Sequence, residues 1–339
     1  MLRPYLLALC IEHHRLATAL ISCDVDHPGM RHLTIGVFHD EALGRELGKK
    51  GTLSDIAMYN RKTDEHIFTF MSPVEDKLTA KSQIMSTIDA AVVVFSEMTR
   101  ELGETILMLD LNGVKHGFAI TTPYVTTDKV SAITEKTSLN SFRIESRDPV
   151  KLLEALKDIR PSRDNVSSAT IVVDHSFSVK GVGEVVLGFV KAGVVRKYDE
   201  LHLLPAGKSV VVRSIQVQDE DMETAEAGTR VGLAIKGASV DEMQRGSILT
   251  SSDRVEVISS ARLPFSKVPY YADDIRSGPF HATVGMQTVP IMISNPQAGS
   301  IEIESTKPIA IEPRAPALFL DLNAKKTRIM GIGKFGHEP

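Results

Sequence analysis

From Leu33 to about Ile144, short apolar runs alternate with stretches whose apolar residues recur at helical spacing. LTIGVF reads as a strand and ALGRELGKK as a short helix. SDIAMYNRK and HIFTFMSP each carry a strand-length stretch. LTAKSQIMSTIDA suits a helix, and the β-branched run in AAVVVFSE reads as a buried strand. GETILMLDLNGV is helical and ends at Asn112-Gly113. GFAITTP and DKVSAITEKT come next as strand and helix, and SLNSFRIE and PVKLLEALKDI close the series in the same order. The alternation predicts a parallel sheet with helices on its faces.

The pattern changes after the polar linker Pro161–Ser168. From Ala169 onward the chain reads as almost all β, with turn residues at Gly181-Val182-Gly183, Ala192-Gly193, Pro205-Ala206-Gly207 and Ala227-Gly228. Such spacing predicts a small antiparallel barrel. A second β series runs from Arg254 to Gly333 and is punctuated by Pro264, Pro269, Pro279 and Pro290. Three domains are therefore expected: an α/β domain over 30–161, a barrel over 168–250 and a second barrel over 251–339.

Residues 1–29 stand apart, with no clean period and no capping logic linking them to the strand that begins at Leu33. They read as an extension or mis-assigned start, with Met30 as the natural beginning. A short helix packed on the first domain and a relic phosphate loop at Asp24–Met30 are the competing readings. Tyr5–Ile11 is apolar but short, and no run approaches the roughly 20 residues needed to span a bilayer. Two cysteines, Cys10 and Cys23, without a CxxC pair argue against a disulfide framework or cysteine zinc site and fit a reducing cytoplasm. The formal charge of −4 and pI near 6.3 exclude coating of nucleic acid by bulk charge, so any such contact is local. No metal-ligand spacing and no nucleophile elbow is present. Gly331-Ile332-Gly333-Lys334-Phe335-Gly336 fits GxGxxG, but only three residues come after it, so it reads as a decoy.

The stretch from Val172 to Leu249 is the most specific. It holds Phe177, a glycine-rich turn and strand from Gly181 to Gly188, VRSIQ within Val211–Gln216, AGTRVGLAIKG over Ala227–Gly237, and RGSIL over Arg245–Leu249. In this order the pieces resemble the second domain of EF-Tu/SelB-type translational GTPases, closest to the selenocysteine-specific factor and its archaeal relatives. The first domain resembles the same family more faintly, through IGVFHDEALGRELGKKGTLSDIAMYNRK, IDAAVVVFSE and ETILMLDLNGVKHGFAI. The resemblance implies a P-loop GTPase-like α/β domain followed by two β-barrels.

The sequence departs from the family where the family binds GTP. A phosphate loop needs G-x-x-x-x-G-K-[ST], whose backbone N–H groups and Lys hold phosphate while Ser/Thr holds Mg²⁺. Gly36 is instead followed by VFHDEAL, so Gly36, His39, Asp40 and Glu41 make a degenerate nucleotide loop with acidic residues facing phosphate. Gly44–Lys50 is a near-match, one residue short, and reads as a solvated helix end with a C-terminal glycine. Ser72–Asp76 stands where Asp-x-x-Gly is required, and Thr121–Val125, with Asp128 displaced, stands where Asn-Lys-x-Asp should read guanine. The segment matching the first switch is also short.

The resemblance therefore implies a pseudo-GTPase with no catalytic residues, no metal, and no GTP or Mg²⁺ cofactor. In the family the barrels grip the acceptor end of aminoacyl-tRNA, and the first barrel touches the ribosome. By family position, that contact would involve Lys180, Gly181, Val182, Gly183, Glu223, Glu226 and Arg230, with the pocket between the Lys180–Gly183 loop and the Glu223–Arg230 loop. An arginine that some members carry beside the first glycine is Val182 here. The expected partners are tRNA or the ribosome, with no membrane and no DNA, in the cytoplasm. A genuine GTP-binding factor with atypical motifs and a pseudo-GTPase regulator outside translation stay open beside this reading.

Overall fold

The computed structural model describes residues 30–163 and 166–336. The readings for residues 1–29, including both cysteines, lie outside the described residues. The first sheet takes β1 (Arg31–Phe38), β2 (Lys49–Leu53), β3 (Ile56–Lys62), β4 (His66–Pro73), β5 (Ala90–Phe95), β6 (Gly117–Thr121) and β7 (Arg143–Glu145). Its helices are α1 (Glu41–Leu47), α2 (Leu78–Met85), α3 (Arg100–Leu111), α4 (Thr127–Thr134) and α5 (Pro149–Leu156).

The strand order is β2-β3-β4-β1-β5-β6-β7. Strands β1, β5, β6 and β7 pair in parallel, as their helical connections require. The other edge extends the expected parallel sheet with antiparallel strands, as β2–β3 and β3–β4 are antiparallel. The reason is length: Ser54-Asp55 and the segment from Thr63 to Glu65 are too short for a parallel crossover.

All of β5 is buried, and its side chains divide by alternation. Ala90, Val92 and Val94 face a core with Leu43 and Leu47 of α1 and Leu152 and Leu156 of α5. Ala91, Val93 and Phe95 face a core that contains Ile84, Leu102 and Leu109 and runs on into the last barrel through Val284 and Phe319. Helix α2 is consequently buried on nearly every side. Ser82 and Thr283 share a hydroxyl hydrogen bond of 2.9 Å, and Gln83 Nε2 donates to Thr288 Oγ1 at 3.1 Å.

The second module comprises β8 (Thr170–Val179), β9 (Gly183–Ala192), β10 (Val194–Arg196), β11 (Glu200–Leu204), β12 (Lys208–Val217), β13 (Glu220–Met222), β14 (Thr224–Glu226), β15 (Arg230–Lys236) and β16 (Ile248–Thr250). The order β11-β16-β8-β9-β15-β12 closes through β12–β11, with β13 beside β12 and a separate β10–β14 ladder. Gly193 turns the chain at φ +66°, where a Cβ would meet the Ser168 carbonyl oxygen at 2.3 Å.

The third module is a closed barrel, β17-β20-β19-β18-β21-β22. Its strands are β17 (Glu256–Lys267), β18 (Gly278–Val284), β19 (Gln287–Gln297), β20 (Ser300–Ile311), β21 (Pro316–Leu320) and β22 (Ile329–Lys334). Pro264, Pro279 and Pro290 do not punctuate this series but lie inside β17, β18 and β19. Each sits where the strand's second ladder does not reach: β17–β22 begins at Phe265, β18–β21 at His281 and β19–β20 at Ile291. The Gly331–Gly336 run lies largely on β22. Among the described residues, no helix is long and apolar enough to cross a membrane.

Candidate functional site

In an open α/β sheet, ligands sit outside the carboxyl ends of the parallel strands. Here β1 ends at Phe38 and α1 starts at Glu41, so His39 and Asp40 alone make the connection. Asp40 caps the helix itself, its Oδ1 accepting from the Leu43 N–H at 2.9 Å. Asp40 Oδ2 accepts from Nε of Arg147 at 2.6 Å, and both Glu46 oxygens accept from the same guanidinium at 2.8 and 3.0 Å. Arg147 comes just after β7, so one side chain ties together the two ends of this edge. The bonds to Glu46 and Asp40 raise the Arg147 pKa, and the Arg147 bond lowers that of Glu46.

His39 stands at φ 66°, and its Nε2 lies 2.9 Å from Thr105 Oγ1. The Thr105 hydroxyl donates its proton to the Glu101 carbonyl at 2.9 Å, which assigns the His39 proton to Nε2. Burial, then Lys81, lowers the His39 pKa to about 4 against the opposing pull of Asp76. Lys81 is fully buried, with Nζ 2.7 Å from Asp76 Oδ1. Burial lowers its pKa too, despite the bond to Asp76. The remaining space at this edge is a cavity of about 460 Å³ walled by Asp40, Glu41, Glu75, Asp76, Glu97 and Glu101, with no Lys or Arg in its lining.

Two readings of this edge need correction. Gly36 belongs to no loop but sits inside β1, where a Cβ would lie 2.6 Å from the Phe38 ring. Gly44–Lys50 is only partly a solvated helix end: Gly48 does end the helix and Arg45, Glu46, Lys49 and Lys50 are exposed, but Gly44 and Leu47 are buried, and a Cβ on Gly44 would lie 3.0 Å from the Tyr59 ring. Gly48 is extended, and Lys49 and Lys50 pass into β2 opposite Asn60 and Tyr59.

A second cavity, about 590 Å³, lies between β2 and the first barrel. Lys49, Lys50 and Thr52 form its sheet side, and Phe177, Val179, Val182, Leu187, Gln216 and Arg230 are on its barrel side. Arg230 Nη2 donates to Thr52 Oγ1 at 3.1 Å and to Asp174 Oδ2 at 3.3 Å. Its buried Nε has no hydrogen-bond partner among the described residues. Asp174 is 2% exposed, and Arg245 donates to its carbonyl at 3.2 Å while reaching Asp55 at 2.5 Å and Ser54 at 2.8 Å on the sheet module. Lys62 and Glu220 add a bridge of 2.6 Å between the same two modules.

The barrel residues singled out in the sequence do not form one pocket between two loops. Strands β9 and β15 run antiparallel, pairing Glu184 with Ile235 at one end and Arg230 with Phe189 at the other. The Lys180–Gly183 turn, with Gly181 at φ +87° and Gly183 at φ +103°, therefore lies at the opposite end of β9 from Glu223–Arg230. Val182 and Arg230 line the cavity along the strand faces. Lys180 lies outside its lining, Glu223 instead pairs with Lys197 at 3.4 Å, and exposed Glu226 sits opposite Val194 on the β10–β14 ladder. Sequence reading missed Arg147, Lys81 and the Lys49-Lys50 pair. The lysine pair alone gave a signal, as two adjacent cations at the end of the Gly44–Lys50 near-match.

A GTPase-like α/β sheet followed by two six-stranded barrels is the layout of the elongation factors. The Elongation factor Tu domain 2 family matches residues 183–250. The uncharacterized protein MJ0325 of Methanocaldococcus jannaschii is 36% identical over 309 residues, covering 90% of this chain and 100% of that protein. The selenocysteine-specific elongation factor of the same organism is 29% identical, covering 74% of this chain and 59% of that factor. Elongation factor 1-alpha of Methanosarcina acetivorans is 22% identical, covering 74% of this chain and 64% of its own length. The chain thus spans the whole of the first relative but about three-fifths of the two elongation factors. Elongation factor SelB of Methanococcus maripaludis, solved with the GTP analogue GppNHp, shares the fold with a TM-score of 0.77 at 23% identity, covering 90% of this chain and 79% of that one. The chain belongs to the EF-Tu/SelB-type family of translational GTPases.

Proposed function

We propose that this protein is an elongation-factor-like binding protein that works without GTP. Its ligand is the acceptor end of aminoacyl-tRNA, the ribosome, or both. The observation that carries the reading is the two-residue connection His39-Asp40. A phosphate loop needs six residues before its Lys to surround phosphate with N–H groups. Two residues cannot do so, and the helix N-terminus they lead to is already capped by Asp40. Six carboxylates around the adjoining cavity oppose a polyphosphate further. Lys81 puts a fixed cation beside Asp76 at the edge where a GTPase would hold Mg²⁺.

The cleft between β2 and the barrel keeps the means to bind a nucleic-acid end. Lys49 and Lys50 are exposed cations for phosphate, and Phe177 and Val179 offer apolar surface for a base. With few cations in reach, binding should show a shallow salt slope. The same reading assigns the protein to the cytoplasm, with no enzymatic turnover and no role on membranes or DNA.

The test is titration of the full chain with aminoacylated and deacylated tRNA at two salt concentrations, and with ribosomes. Preferential binding of the aminoacylated form, or ribosome binding, weakened by Lys50→Glu, is the expected result. Saturable binding to neither partner contradicts the proposal.

A further inference from the structure

A third cavity, about 560 Å³, lies where the sheet module and both barrels meet. Its size falls within the range of small-molecule sites, roughly 300–1,000 Å³. Met85, Ile88, Val172 and Ile248 supply apolar wall from two of the modules. The central polar group is Lys191 of β9. Its Nζ donates to the Ser86 carbonyl at 2.6 Å. An ammonium has three donors, and the described residues give this one no other hydrogen bond and no ion pair.

The two carboxylates in the lining attract it without forming an ion pair. Asp89 is held on both oxygens by Arg163, at 2.6 and 2.8 Å, and also accepts from the Thr34 N–H at 2.9 Å. Glu312 stands beyond ion-pair distance of Lys191, and burial pushes its pKa up against the opposing pull of Lys191. Burial pushes the Lys191 pKa down against the pull of Asp89 and Glu312. Lys191 is partly exposed to the cavity, so an anion there can take up its spare N–H donors.

We propose that this junction cavity binds a small anionic molecule with an apolar body, whose acid group takes Lys191 as its counter-ion. The apolar part lies along Ile88, Val172 and Ile248, and Arg314 at the mouth adds a second cation. Such a ligand touches all three modules at once, so it stabilises their arrangement. The site is separate from the cleft beside β2 and does not depend on tRNA or nucleotide binding.

The probe is 8-anilinonaphthalene-1-sulfonate, an aryl sulfonate of this class, titrated by fluorescence into the full-length protein. Two variants accompany it: Lys191→Met, and Ser162→Trp, which fills the mouth from an exposed linker position. The expected result is one saturable site that raises the melting temperature, weakened about tenfold or more in each variant. Should Lys191→Met not fold, Ser162→Trp decides. Absence of a saturable site, or unchanged affinity in the folded variants, overturns the proposal.

Discussion

The carboxyl edge of the sheet and the cleft beside β2 are built from similar charged side chains, arranged to opposite effect. At the edge, charges close on one another: Arg147 on Asp40 and Glu46, Lys81 on Asp76, Asp40 on the α1 N-terminus. In the cleft, Lys49 and Lys50 are exposed without an ion pair among the described residues. A charge satisfied within the fold stabilises it and is unavailable to a ligand. A charge held in place but left open is available. The comparison predicts that substitutions at the edge act on stability and substitutions in the cleft act on binding.

The largest effect of a single substitution should come from the network behind the edge. Glu104 of α3 is 1% exposed and accepts from the Arg328 N–H at 2.9 Å, Nε at 3.0 Å and Nη2 at 2.5 Å. Arg328→Ala leaves that buried carboxylate without its ion pair and with the backbone N–H of residue 328 still donating to it, at a cost of about 3 kcal/mol in a denaturant melt. A loss within ordinary surface variation would show that the sheet module and last barrel are not coupled as described.

The second effect comes from acid. His32 and His39 both have pKa values lowered from 6.5 to about 4, by burial first and then by Arg163 and Lys81 respectively. The unfolded chain binds more protons than the native one between those values. Stability is therefore complete above about pH 6.5 and falls as pH drops toward 4, by about 3 kcal/mol for each histidine. His39→Asn, which tolerates the positive φ, should remove part of this slope. An unchanged slope in the variant would break the link to His39.

The smallest effect is at the cap. Asp40→Ala should cost about 1 kcal/mol, because Arg147 keeps Glu46 as partner. The variant should gain no affinity for GTP, since two connecting residues still cannot enclose phosphate. Acquired nucleotide binding would mean that Asp40 alone had closed the edge.

Local patterning carried most of the fold. The core strands β1 and β5 and the helices α3 and α5 follow from apolar spacing and from signals such as Pro149 after Asp148. The antiparallel edge was also legible, but through connection length and not through periodicity. Proline positions misled because a barrel strand can lack its second neighbour over part of its length. The charged plug was hidden for a different reason. Arg147 meets Asp40 from 107 residues away, and a lysine inside LTAKSQIM gives no sign that a barrel will cover it. The placement of the two barrel loops failed on register, because a motif order does not say which end of a strand each loop occupies.

The central claim is that the protein's own side chains hold the nucleotide position. The most direct measurement is titration of the full-length protein with fluorescent GDP and GTP analogues in the presence of Mg²⁺. The account predicts no saturable binding at micromolar concentrations of either nucleotide. A sub-micromolar Kd for either one would contradict it.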